Sequence, residues 1–267
     1  MTESRLFAQT ITAGYDGRIV LDGLDVKVPP DSFTVILGPN ACGKSTLLRT
    51  LSRLLTPTKG TVILDGEDIH SLPAKEVARR VGLLPQTSIA PEGITVVDLV
   101  SRGRYPYQSM FRQWSGEDEH AVRTALEQTR TLELAGRPVD ELSGGQRQRV
   151  WIAMVLAQQT PIILLDEPTT YLDISHQLEL MELCTELNQQ GRTLVAILHD
   201  LNQSARYATH LIVMHEGAIV AEGSPGDVMT PELVESVFGV RSRIIPDPET
   251  GSPMIVPLAR GAIGYGT

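Results

Sequence analysis

The chain has 267 residues and a mass of 29.1 kDa, and a chain of this length buries roughly 70–75% of its unfolded surface, so a sizeable core is expected. Its 23 Lys and Arg stand against 32 Asp and Glu, a formal charge of -9, which leaves no broad attraction to nucleic-acid backbones or anionic lipid. No apolar run approaches the about 18–20 residues that cross a bilayer, which excludes a membrane pore made by this chain alone. Met1 to Ala8 lacks the basic, apolar and small-residue succession of a secretory leader, so a cytoplasmic chain is expected. The two cysteines, Cys42 and Cys184, make neither a disulfide framework nor a metal cluster, and both are expected to be free thiols.

Short apolar runs alternate with helical patterns, which predicts an α/β domain with a largely parallel sheet buried on both faces. The candidate strands are Val35 to Leu37, Val62 to Leu64, Val81 to Leu84, Ile162 to Leu165, Leu194 to Leu198 and Leu211 to Met214. A helix is predicted from Lys44 to Leu55, behind a glycine-rich turn. Another runs from Ile174 to Asn188, where Ile174, Leu178 and Met181 form an apolar row beside Leu180, Leu183 and Leu187. Between about Thr95 and Gln158 there is no strand pattern. Thr95-x-x-Asp98 reads as a capping box and His120 to Leu134 as a helix, so the stretch is expected to be a helical insertion. After Gly239 a terminal hairpin is predicted, with strands at Ser242 to Ile245 and Met254 to Val256 around a turn at Pro246 to Pro253; Gly261 to Thr267 should fray.

The chemistry begins at Gly38-Pro39-Asn40-Ala41-Cys42-Gly43-Lys44-Ser45. A strand at Phe33 to Leu37 precedes it and a helix opening Thr46-Leu47-Leu48 follows, the strand–loop–helix context a phosphate-binding P-loop requires. Consecutive backbone N–H groups ending at a helix N-terminus form a concave donor array for phosphates. Gly38 and Gly43 permit close approach, Lys44 brings charge to the β- and γ-phosphates, and the Ser45 hydroxyl is a natural Mg²⁺ ligand. Far downstream, Pro161 to Glu167 reads as a buried strand ending in two carboxylates, where parallel sheets bind ligands. Paired acids also end strands in solvent without further role. Behind a P-loop, Asp166 suits the Mg²⁺ shell and Glu167 suits the base that orients and deprotonates an attacking water.

Leu142-Ser143-Gly144-Gly145-Gln146 lies between these two elements and resembles the signature motif of ATP-binding cassette (ABC) ATPases. Ser143 and the Gly144 and Gly145 amides open a helix whose Val150, Trp151, Met154 and Val155 are apolar, a second anion-binding helix end. The resemblance implies a P-loop NTPase fold, an ABC-type nucleotide-binding domain over 6–240 with an antiparallel β subdomain. A helical subdomain at about 87–158 is inserted in its core, and a hairpin and tail follow at 241–267. It also implies a head-to-tail homodimer in which each MgATP lies between Lys44 of one protomer and Ser143 of the other, with Gln146 in the same motif.

Other residues carry over singly. Tyr15, in Ala13-Gly14-Tyr15-Asp16, matches the aromatic that stacks on adenine, where ordinary packing is the alternative. Gln86 matches the glutamine that reaches metal and lytic water, and Asp173 matches the acid of the dimer-crossing loop, a position equally suited to capping the next helix. His199, after Val195 to Leu198, matches the switch histidine at the γ-phosphate. The family's third loop glycine is replaced by Ala41; if a positive φ is needed there, Ala costs on the order of 1 kcal/mol, and either tolerated strain or a shifted torsion is expected.

The likeness runs from about Leu6 to Pro257 and is strongest to ATPases of bacterial iron-siderophore importers, on Arg102 to Tyr107, Gln146 to Ala157, Leu172 to Gln177 and His199 to Gln203. It implies a transmembrane permease dimer as partner, an extracytoplasmic siderophore-binding protein acting indirectly, a place on the cytoplasmic face of the inner membrane, and no nucleic acid. Haem or cobalamin importers share parts of these segments. A soluble ABC ATPase acting on nucleic acid or the ribosome is disfavoured by the single cassette and the acidic charge.

Overall fold

The computed structural model describes residues 4–258 apart from 88, 110–113 and 171; the tail from Gly261 lies outside the described residues. β1 (Leu6–Tyr15) and β2 (Arg18–Val28) pair antiparallel. β3 (Phe33–Leu37) then leads through the glycine-rich loop into α1 (Lys44–Leu51). The chain returns through β4 (Lys59–Leu64) and β5 (Glu67–Asp68), completing an antiparallel sheet of order β2-β1-β4-β5. Sequence pattern alone predicts no strand before Phe33. Bulges explain this: register shifts lie between Ala8 and Ile11 and between Ile11 and Ala13, with Thr10 at φ 47, so the buried residues of β1 do not keep a period of two. Val62 to Leu64 forms the expected strand but pairs with β1, outside the parallel sheet. Val62 and Leu64 are buried while Ile63 is only half-buried, the alternation of a one-sided strand.

The second sheet has six strands in the order β10-β9-β3-β8-β7-β6. Here β6 is Val81–Leu84, β7 Ile162–Asp166, β8 Thr193–Ile197 and β9 His210–His215, all parallel with β3; β10 (Ala218–Gly223) is an antiparallel edge that the sequence pattern does not reveal. Successive side chains along these strands enter opposite cores. Val35 and Leu37 pack with the helices and Ile36 with the antiparallel sheet, and Ile163 and Leu165 oppose Ile162 and Leu164 in the same way. Register decides what gathers at the carboxyl edge. Ile36 and Asp166 both sit opposite Ile197, and Leu84 sits opposite Leu165, so the segments that follow β3, β6, β7 and β8 leave the sheet level with one another.

The remaining helices are α2 (Ala74–Arg80), α3 (Val96–Ser101), α4 (Gly116–Gln128), α5 (Gly144–Ala157), α6 (Ile174–Gln189), α7 (Leu201–Tyr207), α8 (Pro225–Val228) and α9 (Pro231–Phe238). Between β6 and β7 the described residues hold helices, 3₁₀ turns and no named strand, in line with the sequence pattern. Boundaries differ from expectation where caps act. α1 ends at Leu51 because Arg53 turns left-handed at φ 68. α4 opens early on a Ser115–Asp118 capping box and stops at Gln128, where the Thr129 hydroxyl donates to Ala125 O and Arg130 takes φ 52; Leu132–Leu134 is a separate 3₁₀ turn. At α3 only half of the expected box forms. The Thr95 hydroxyl accepts from Asp98 N, but the Asp98 carboxylate takes the Thr95 hydroxyl. The terminal hairpin is present as β11 (Ser242–Pro246) and β12 (Pro253–Pro257). Among the described residues no helix is long and apolar enough to cross a membrane.

Candidate nucleotide site

The loop between β3 and α1 is shaped by its backbone. Gly38 has φ 151, and a Cβ there would sit 2.2 Å from Met214 O, so only glycine fits against β9. Gly43 caps α1 at φ 108. Ala41 holds φ 62, so the left-handed geometry is kept and the strain is borne by an alanine; of the two expectations, the shifted torsion is ruled out. Pro39 is half-buried, and Asn40 and Ala41 lie exposed on the rim of the loop. Cys42 is buried, and burial pushes its thiol up against the opposing pull of Lys44. Lys44 is also buried and its Nζ donates to Gly38 O and Pro39 O, both at 2.8 Å, folding the ammonium over its own loop.

Behind the loop, Ser45 Oγ donates to Asp166 Oδ1 at 3.1 Å. Burial raises the Asp166 carboxyl above its ordinary value against the opposing hydrogen bond from Ser45, and among the described residues no Lys or Arg forms an ion pair with it. A buried carboxylate and a hydroxyl in contact, with charge left to neutralise, suit a hard divalent cation such as Mg²⁺.

Glu167 follows at φ 54, outside strand geometry, so its carboxylate is aimed independently of Asp166. Oε2 accepts from Gln86 Nε2 at 2.9 Å and Thr170 Oγ1 at 3.3 Å, while Oε1 lies 2.9 Å from His199 Nε2. Three parallel strands thus bring Gln86 and His199 to the Glu167 carboxylate. A cleft of about 540 Å³ runs from Tyr15 over Lys44, Ser45 and Thr46 to Glu167, and the Arg49 guanidinium donates to the Tyr15 hydroxyl at 3.3 Å.

The helix start at Ser143 forms a capping box. Ser143 caps α5, accepting from Gln146 N at 3.3 Å, and the Gln146 side chain accepts from Ser143 N at 3.1 Å. Ser143 and Gly144 are exposed, and none of Ser143, Gly144, Gly145 or Gln146 lines the cleft at Lys44.

Over residues 21–170 the sequence matches the family described as ABC transporter. The chain belongs to that family. It is 58% identical over 98% of both chains to the ferric enterobactin transport ATP-binding protein FepC of Escherichia coli (strain K12). It is 52% identical to the achromobactin transport ATP-binding protein CbrD of Dickeya dadantii (strain 3937), covering 95% of this chain and 94% of that one. Among solved structures, an ABC transporter of metal-chelate type in an inward-facing conformation superposes with a TM-score of 0.82 at 27% identity, over 97% of this chain and 98% of that chain. The ABC membership makes the chain a nucleotide-binding ATPase cassette.

In this ABC cassette the residues expected from sequence fall into two groups. Tyr15, the loop from Gly38 to Thr46, Gln86, Asp166, Glu167 and His199 gather at the carboxyl edge of the parallel sheet. Ser143 to Gln146 and Asp173 stand apart, at the exposed starts of α5 and α6. Asp173 caps α6, accepting from His176 N at 2.9 Å, with its carboxylate 2.6 Å from His176 Nδ1. The hydrogen bonds from the His176 backbone and ring hold that acid below the ordinary carboxylate range. Thr170 and Arg49 escape sequence reasoning: a threonine beyond a Glu-Pro and an arginine in a helix carry no signal until the fold brings them to Glu167 and Tyr15.

Proposed function

We propose that this chain is the ATP-binding subunit of a bacterial importer for ferric siderophores of the enterobactin type. The observation that carries the catalytic part is the Glu167 carboxylate held by Gln86, His199 and Thr170 beside the Ser45–Asp166 pair. Glu167 orients the attacking water and takes its proton as the bond between the γ-phosphorus and the ADP oxygen breaks. Lys44 exchanges the loop carbonyls it now bonds for the β- and γ-phosphates, and the loop amides from Asn40 to Thr46 wrap them. Tyr15 stacks on adenine at the open end of the cleft. His199 and Gln86 report the γ-phosphate to the rest of the chain. Ser45, Asp166 and Gln86 would hold Mg²⁺, which when bound neutralises phosphate charge.

The exposed α5 end points to a head-to-tail homodimer, in which Ser143, Gly144, Gly145 and Gln146 of one protomer complete the Lys44 site of the other and Asp173 crosses the interface. The division into an ATPase domain at 6–240, with its helical subdomain at about 87–158, and a C-terminal hairpin and tail at 241–267 belongs to the same reading. Helices between Gln86 and Ser143 meet a transmembrane permease dimer on the cytoplasmic face of the inner membrane. A siderophore-binding protein delivers cargo from the other side.

Cargo is the finest part of the reading, because an ATPase of this kind meets the permease and not the ferric chelate. It rests on relatives that transport ferric enterobactin and achromobactin. Uptake of labelled ferric catecholate, ferric hydroxamate, haem and cobalamin in a strain lacking this chain tests it. Loss of the catecholate, restored by the gene, is expected; loss confined to haem or cobalamin overturns the siderophore assignment.

A further inference from the structure

Three of the segments that carry the likeness to siderophore importers contain a glutamine, at Gln148, Gln177 and Gln203, that hydrolysis as described leaves without a role. The structure strings them together. Gln148 Nε2, in the second turn of α5, donates to Pro168 O at 3.0 Å, the carbonyl next to Glu167. Gln177 Nε2, in the first turn of α6, donates to Leu172 O at 3.0 Å and to Thr169 O at 3.4 Å. Gln203 Nε2 then donates to Gln177 Oε1 at 2.8 Å. Gln203 lies in the first turn of α7, whose N-cap, Asp200, accepts from Gln203 N at 2.8 Å and directly follows His199. His199 closes the circuit on Glu167.

We propose that Gln177 is a positioning residue for ATP hydrolysis. Its amide fixes the main chain on both sides of the turn after β7 and joins that turn to α7, the helix that opens just after His199, so that Glu167 and His199 hold one mutual geometry. The residue type follows from the pattern: one side chain must donate twice and accept once, which an unbranched neutral amide does and a carboxylate or ammonium does not. Glu167 sits at a positive φ, where the strand no longer dictates its direction, so the position of the turn after it, which also carries Thr170, helps set its aim. The inference rests on the reading of Glu167 as base.

The test is a steady-state MgATP titration on the full chain, with melting temperature and fluorescent-ATP binding measured on the same samples. Gln177→Ala is expected to lower kcat about tenfold or more, the scale of a small misplacement of a catalytic group, while KM for ATP and the melting temperature hardly move. Gln177→Glu keeps the acceptor for Gln203 and loses both donors, so it should fall as far. Gln203→Ala should cost less, and the double variant Gln177→Ala/Gln203→Ala should be no slower than Gln177→Ala, because both remove one connection. Wild-type kcat in a folded Gln177→Ala, or losses that multiply in the double variant, overturns the proposal. Where Gln177→Ala does not fold, Gln203→Ala decides alone: lowered kcat at unchanged KM supports the link and wild-type kcat overturns it. Glu167→Gln separates the two readings. Turnover persisting there removes the base assignment, whereas abolished turnover beside an unaffected Gln177→Ala removes the positioning role only.

Discussion

Ala41 and Glu167 both hold a left-handed backbone without being glycine, and they do so for different reasons. Ala41, at φ 62, is exposed on the rim of the phosphate loop, where its methyl group meets little and the strain is local. Glu167, at φ 54, uses its strain to aim a carboxylate. Replacing Ala41 by glycine therefore sets the relief of about 1–2 kcal/mol of strain against about 0.4–1 kcal/mol of added unfolded-state entropy. Ala41→Gly should be as stable as the parent or up to about 1.6 kcal/mol more stable, with MgATP affinity retained. Denaturant unfolding and nucleotide titration check this, and a clear loss of stability would show that the loop does not bear the strain described. The P-loop is legible in sequence because phosphate binding here is done by contiguous backbone. Thr170 and Arg49 are not legible, because neither belongs to a motif and each acts only through the partner that the fold sets beside it.

Among the elements, the 3₁₀ segment Arg102–Tyr107 has the clearest structural role, which is to cap the far end of the signature helix. The Arg104 guanidinium donates to Ala157 O at 2.8 Å and to Gln159 Oε1 at 2.9 Å, and the Tyr107 hydroxyl donates to Gln158 O at 2.8 Å, so carbonyls that a helix end leaves open are satisfied. Arg104 Nε also meets Asp118 Oδ1 at 2.8 Å, and both residues are buried. Burial pushes the Asp118 carboxyl up, but hydrogen bonds from Arg104 and Ser115 outweigh it and hold the group below its ordinary 3.8. The folded chain therefore binds that proton less tightly than the unfolded chain. The stabilisation is complete above about pH 4 and is lost as pH falls through the folded value. Arg104→Ala leaves the carboxylate buried without its counter-charge, held only by Ser115, at about 3–5 kcal/mol near neutrality. The deficit should shrink as pH falls below neutrality, because without the guanidinium burial favours the protonated form of Asp118 in the variant. Urea titrations at pH 7 and pH 3.5 measure it, and a deficit independent of pH would show that the loss is packing alone. The helical stretch is readable from its lack of strand pattern, yet this capping role is not, because Arg104 and its partners are 14 to 55 residues apart.

For the whole molecule, the separation of the α5 start from the cleft has a measurable consequence. If Lys44 of one protomer and Ser143 of the other share each nucleotide, then Lys44→Ala and Ser143→Arg are each inactive, and a heterodimer of the two contains one site with both defects and one intact site. Random mixing puts heterodimers at about half of the population, so recovery of up to about a quarter of parental ATPase activity is expected. Two inactive variants that stay inactive when mixed would overturn the composite site.

Local sequence suffices for the chemistry that lies along short stretches of chain. The phosphate loop needs consecutive amides, the acid pair needs only a strand end, and the α5 cap needs residues three apart, so each can be named from nearby residues. Packing in three dimensions settles what no stretch contains. The strand order β3-β8-β7-β6 and its register bring Gln86 and His199 to the Glu167 carboxylate, and the glutamines at 148, 177 and 203 join the turn after β7 to its neighbours only when three helices meet. The cause is the same throughout. Periodicity and caps are short-range signals, whereas strand order and the partners of a polar side chain are set by contacts between segments far apart in sequence.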